Sequence, residues 1–165
     1  MKRKTEYSIG FMFTDNMKQV LLILKNHGPQ CVVGRYNGIG GHIEEDDLNP
    51  IGAQIREFYE ETGVYTTRGN WDKFTELRGD DFVVHCFWGR NSRAVLNAKT
   101  MTDEKIEIIN CENTGSMNIF NIPLAPNLVW WIPFLRDVST RNHLCVVLAN
   151  YMQDDELDAD TIATI

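Results

Sequence analysis

Two runs of β-branched and apolar residues open the chain, Tyr7 to Phe13 and Gln19 to Leu24, with Thr14-Asp15-Asn16 between them. Short runs around a turn signal predict a β-hairpin. The stretch 28–41 then holds five glycines and a proline, which predicts a loop leading into a tight backbone segment. Asn49-Pro50 predicts a helix start, because Asn caps the first turn and Pro fits the first helical position. The helix is expected to run to Thr62, with Gly63 as its left-handed stop. Val64 to Thr67, Phe74 to Leu77, Phe82 to Trp88 and Ile106 to Cys111 predict strands, and Ser92 to Thr102 a loop. Leu128, Trp131, Leu135 and Val138 recur at helical spacing, so a second helix is expected from about Asn127 to Asp137. His143 to Leu148 suits either strand or helix. The expected class is α+β, a mixed sheet with a helix on each face.

The first helix has two unlike faces. At about 100° per residue, Glu60 and Glu61 fall within about 60° of Glu57, so three carboxylates share one side. Ile51, Ile55, Phe58 and Thr62 fall on the other, an apolar stripe expected to dock on the sheet while the carboxylates stand away from it. Like charges three and four residues apart are mutually unfavourable in a bare helix. A hard divalent cation with oxygen ligands, Mg²⁺ with Mn²⁺ as its alternative, would relieve them.

Composition narrows the classes. With 165 residues, 43% of them hydrophobic, the chain fits one folded domain that needs no disulfide or structural metal. That domain is expected over 1–152, followed by a mobile acidic tail over 153–165. The longest apolar run, Leu128 to Leu135, is broken by Pro133 and is far short of the roughly 20 residues a membrane span needs. The basic N-terminus leads into a short strand-like segment rather than a secretory leader. Cys31, Cys86, Cys111 and Cys145 form no Cys-x-x-Cys pair, which suits reduced thiols in a cytoplasmic protein. The net charge is −7, five of it from Asp154, Asp155, Glu156, Asp158 and Asp160. Such a chain has no electrostatic footprint for a nucleic-acid backbone, though it can take a small polyanion through a metal ion.

The segment Arg56-Glu57-Phe58-Tyr59-Glu60-Glu61-Thr62-Gly63-Val64 fits Arg-Glu-U-x-Glu-Glu-x-Gly-U, where U is a bulky apolar residue. A chance match at five fixed positions is on the order of one in a million per start position. The segment resembles the signature of the Nudix hydrolase superfamily. Gly34-Arg35-Tyr36-Asn37-Gly38-Ile39-Gly40-Gly41, together with Pro126 and Trp131-Ile132-Pro133, is similar to the branch that sanitises oxidised purine nucleoside triphosphates. One departure stands out. Counting from Gly41, Asp47 takes the place of the family's Glu, and Leu48 reads as an extra residue before the helix cap.

The resemblance implies a Nudix fold and a Mg²⁺-dependent hydrolase acting on a nucleoside diphosphate linked to another group. Nucleoside or deoxynucleoside triphosphates, oxidised or not, are favoured as substrates, cleaved to monophosphate and pyrophosphate. ADP-ribose, dinucleoside polyphosphates, capped RNA and a non-catalytic nucleotide-binding regulator are the alternatives. It implies Glu60, Glu61, Glu57 and the Gly41 carbonyl as metal ligands, with Glu104 as a further acid. Glu57 is ligand or base, oriented by Arg56. Asn37, Gly40, His42, Asn127 and Trp131 are the implied substrate contacts, and Trp130 could share in a stacking wall. The implied partner is a nucleotide; a homodimer is left open.

Overall fold

The computed structural model describes residues 4–137 and the backbone of 145–148; the expected acidic tail lies outside the described residues. Strands β1 (Thr5–Phe13) and β2 (Gln19–Leu24) form the expected hairpin, pairing Met12 with Leu21. A two-residue strand, β3 (Tyr36–Asn37), interrupts the glycine-rich loop and pairs with the end of β2. β4 (Asp72–Arg78) and β5 (Phe82–Arg90) make a second antiparallel pair, and β5 runs parallel to β1 along its full length. β6 (Ile106–Asn110) pairs with the other edge of β2, and β7 (Cys145–Leu148) lies parallel to β4. The sheet is therefore mixed, in the order β3-β2-β1-β5-β4-β7, with β6 on β2.

Alternation along β1 sorts the core into two layers. Phe11 and Phe13 face one way, against Phe74, Trp131 and Leu135, and α3 (Leu128–Arg136) covers this layer. Met12 faces the other way, with Leu21, Ile23, Phe87 and Trp71, beneath Phe58 of α1 (Pro50–Thr62). Ala94 and Val95 of a third helix, α2 (Ser92–Asn97), join that second layer. The sheet is sandwiched as expected, but one face carries two helices.

Two expectations are corrected here. Ser92 to Thr102 is not all loop: the Asn91 side chain accepts the Ala94 N–H at 3.0 Å and starts α2, whose two buried residues are too few to show a period. Val64 to Thr67 is not a strand. The chain leaves the left-handed Gly63 (φ 70°) into a loop and a 3₁₀ turn over Arg68–Asn70. Thr66 is buried there to accept the Trp71 Nε1–H at 3.0 Å, a tertiary role that β-propensity cannot reveal. The ambiguous Cys145–Leu148 is strand, and His143 lies outside the described residues.

Candidate active site

Backbone pairing brings the glycine-rich segment beneath α1. After β3 the chain runs antiparallel to β1: Gly10 and Ile39 exchange both N–H···O bonds, at 2.7 and 2.9 Å. Ser8 N–H donates to the Gly41 carbonyl at 2.9 Å, and Ile43 N–H to the Glu6 carbonyl at 2.9 Å. The contact is too close for side chains. A Cβ on Gly40 would stand 2.2 Å from the Ser8 carbonyl oxygen, and one on Gly41 would stand 2.6 Å from Glu57 Oε2. The paired glycines thus let the backbone reach the helix carboxylates.

α1 starts and stops where the sequence expects, with Asn49 Oδ1 accepting the Gly52 N–H at 2.9 Å and Gly63 as its left-handed cap. Its buried face is rotated from the expected stripe. Ala53, Gln54, Phe58, Thr62 and also Glu61 are buried, whereas Ile51 and Ile55 are only partly so. The three carboxylates therefore differ. Glu60 is half exposed, Glu57 is largely covered, and Glu61 is 8% exposed. Glu61 Oε2 is buried and has no hydrogen-bond partner among the described residues. Burial pushes the Glu61 carboxyl up to about 8; Lys25 opposes this, while Glu57, Glu104 and Glu60 add to it. Burial also raises Glu57, against the pull of Arg56.

Arg56 ties the helix to the loop before it. Its Nε and Nη2 donate to the two Asp47 oxygens at 3.1 and 2.8 Å, and its Nη1 to Glu57 Oε1 at 2.9 Å and Glu60 Oε2 at 3.0 Å. Nη2 also donates to the His42 carbonyl at 3.0 Å. These bonds, led by that to Asp47, raise the Arg56 pKa, and Arg56 in turn lowers Asp47. The extra residue is absorbed without disturbing this fork: Leu48 is 96% exposed. Leu48→Ser is accordingly expected to change stability by no more than about 0.5 kcal/mol and to leave turnover intact, as thermal melts and initial rates would show.

Glu104 is not a surface loop residue. It is 6% exposed, and both its oxygens are engaged. Oε1 accepts the Asn26 and His27 N–H groups at 2.6 and 3.2 Å, and Oε2 pairs with Lys25 Nζ. Burial opposes its ionisation, but these donors outweigh that and hold its pKa below the usual carboxylate range. Among the described residues, no three His, Cys, Asp or Glu side chains are gathered as closely as a metal ion requires. Arg56 Nη1 bonds both Glu57 and Glu60, and Glu104 is taken up by its own donors. The unpartnered Glu61 oxygen beside like charges nevertheless suits a cation.

A cleft of about 500 Å³ opens against the same glycines, on the α3 face of the sheet. Asn37, Gly40, Gly41, Asn127 and Trp131 line it, whereas His42 does not. The His42 ring packs edge-on against Tyr7, with centroids 5.5 Å apart. Trp131 is 9% exposed and meets Phe11 and Phe74 edge-on, so it is core and cleft wall together. Its neighbour Trp130 points to solvent. Asn37 Oδ1 accepts the Gly38 N–H at 2.9 Å. Sequence reasoning missed Lys25, Gln30, Cys31 and Phe82, which also line the cleft. Lys25 had a faint signal, as the charged residue that ends an apolar strand. The others carry none, because strand pairing and a loop fold bring them in.

The NUDIX domain model matches residues 4–116, more than half of the chain. The chain belongs to the NUDIX domain family. No curated protein is similar enough in sequence to match. Among solved structures, the mMutator MutT protein from Bacillus halodurans superposes with a TM-score of 0.64 at 16% identity, over 91% of this chain and 92% of that one. The NUDIX domain of Shewanella oneidensis NrtR, solved with ADP ribose, gives 0.64 at 17%, over 81% and 86%. A MutT/nudix family protein from Enterococcus faecalis gives 0.57 at 17%, over 70% of this chain and 47% of that one. This chain thus spans about half of the Enterococcus protein's length. At such identities the likeness is one of fold. NUDIX membership makes α1 the Nudix helix and supports a pyrophosphohydrolase. Among the described residues, no helix is long and apolar enough to cross a membrane.

Proposed function

We propose that this Nudix protein is a Mg²⁺-dependent nucleotide pyrophosphohydrolase that takes nucleoside or deoxynucleoside triphosphates and releases monophosphate and pyrophosphate. One observation carries the reading: Gly41 lines the cleft and also abuts the Glu57 carboxylate. A base seated between Leu77, Phe82 and Trp131 would direct its phosphates past Gly40-Gly41 toward the acidic face of α1. Lys25, at the same cleft and paired with Glu104, has further N–H donors to offer an anionic chain.

Glu60 and Glu61, with the Gly41 carbonyl and Glu57, would hold the divalent ion. When bound, that ion neutralises phosphate charge and lowers the pKa of water. Glu57 is the candidate base: its raised pKa suits accepting a proton from the attacking water, and Arg56 fixes its direction. The water adds to phosphorus, and the bond from phosphorus to the bridging oxygen breaks. Glu104, fully occupied by Lys25 and two backbone N–H groups, would act by anchoring that corner of the cleft rather than as a metal ligand.

Substrate choice follows from the cleft's polar groups. Among the described residues that line it there is no Asp or Glu. With Oδ1 engaged, Asn37 has its Nδ2 donors left to offer a base carbonyl. Apolar walls discriminate by only about 1–3 kcal/mol. The expected result is a preference for oxidised over normal guanine nucleotides well below a thousandfold, narrowed further in Asn127→Ala. A panel of nucleotides with Mg²⁺, its products resolved by chromatography and kcat/KM compared, tests this. A preference above about a thousandfold, unchanged in Asn127→Ala, would remove Asn127 from the site.

A further inference from the structure

Gln54 lies one turn before Glu57 on the Nudix helix and is wholly buried. Its Nε2 donates to the Ile39 carbonyl at 3.0 Å. That carbonyl already accepts the Gly10 N–H at 2.7 Å, so the side-chain amide ties α1 to a carbonyl that is itself held on β1. Gly10 makes the room: a Cβ there would stand 2.3 Å from Gln54 Nε2 and 2.7 Å from the Trp71 ring. The other end of the amide gains nothing, since Gln54 Oε1 is buried without a hydrogen-bond partner. An apolar side chain of the same length would fill this space and leave no orphaned acceptor. Core packing therefore does not account for the amide.

The bond to Ile39 does. Ile39 is two residues before Gly41, where the backbone meets the Glu57 carboxylate closely enough to exclude a Cβ. Gln54 and Glu57, three residues apart, project from adjoining parts of one helix face. We propose that Gln54 is a positioning residue of the metal site: its amide fixes the height of α1 above Gly40-Gly41. That height sets the distance from the Gly40-Gly41 backbone to the carboxylates of Glu57 and Glu61. The inference rests on the reading of these groups as metal ligands, and adds the device that spaces them.

Mn²⁺ titration followed by the electron paramagnetic resonance signal of the free ion tests it without substrate. Wild type is compared with Gln54→Met, which keeps length and loses the bond, and Gln54→Asn, which keeps the amide one methylene short. Melting temperatures are read in chelator. The expected result is a Gln54→Met protein that melts at or above the wild-type temperature and binds Mn²⁺ at least tenfold more weakly, with Gln54→Asn between. Mn²⁺ affinity within twofold of wild type in both variants would overturn the inference while leaving the metal reading standing. Failure of both variants to fold, or a loss of affinity matched by a fall of melting temperature in chelator, would make Gln54 a core residue and overturn it too. A wild-type protein that binds no Mn²⁺ would overturn both.

Discussion

Glu61→Gln is expected to lower turnover by three or more orders of magnitude and, in chelator, to raise the melting temperature. These opposite signs have one cause. Glu61 is buried beside other carboxylates with an oxygen left unpartnered, and burial pushes its pKa up to about 8. The charged form is disfavoured in the folded state and readily solvated in the unfolded one. Its contribution to stability is therefore full below the ordinary carboxylate pKa and lost as pH rises through about 8. Metal-free wild type should melt at a falling temperature from pH 5 to pH 8, by roughly 3 °C for each kcal/mol lost. Mg²⁺ should restore it, because a ligand of the folded state adds stability by mass action. Glu61→Gln, neutral throughout, should show a shallower slope, the remainder belonging to Glu57, and a weaker rescue. Thermal melts at several pH values, with and without Mg²⁺, check all of this. A pH-independent melt of the metal-free wild type would mean that Glu61 is not held as a disfavoured charge.

The second large effect belongs to Arg56. Its guanidinium serves Asp47, Glu57, Glu60 and the His42 carbonyl together. Arg56→Met leaves three carboxylates without their shared cation, two of them largely covered. The expected loss is about 2 kcal/mol of stability in chelator, below the range for fully buried pairs because the side chain is 25% exposed. Turnover should fall at least a hundredfold, since Glu57 loses the donor that fixes its direction. Lys is no substitute, as it cannot make the bidentate fork to Asp47. Denaturant unfolding and kcat for Arg56→Met and Arg56→Lys decide it. An Arg56→Lys protein with wild-type kcat would show that charge alone suffices.

How much of this could be read in the chain depends on where each signal resides. The bounds of α1 were legible because its cap, its proline and its glycine are local chemistry at fixed offsets. The hairpin was legible from alternation around a turn. The burial of Glu61 was not, because a helical wheel gives the spacing of side chains but not the angle at which the helix docks. Gln54, polar and wholly buried, rotates the covered face toward Glu61 and away from Ile51 and Ile55. Leu48 reads as an extra residue between Asp47 and the helix cap, yet the loop turns Leu48 into solvent and keeps the acid on Arg56. That outcome depends on a backbone excursion no motif count contains. Glu104 was visible as an acid ahead of a strand, but its bonds to Asn26 and His27 join segments distant in the chain. The cleft is the least legible part, since its walls come from strands, a loop and α3 that meet only after folding.

The most direct test of the central claim is the hydrolysis of a deoxynucleoside triphosphate with Mg²⁺ and then with excess chelator, products separated by ion exchange, in wild type and Glu61→Gln. The account predicts monophosphate and pyrophosphate from wild type with Mg²⁺, and turnover at least a thousandfold lower both in chelator and in Glu61→Gln. Undiminished hydrolysis in excess chelator, or release of diphosphate and inorganic phosphate instead, would contradict it.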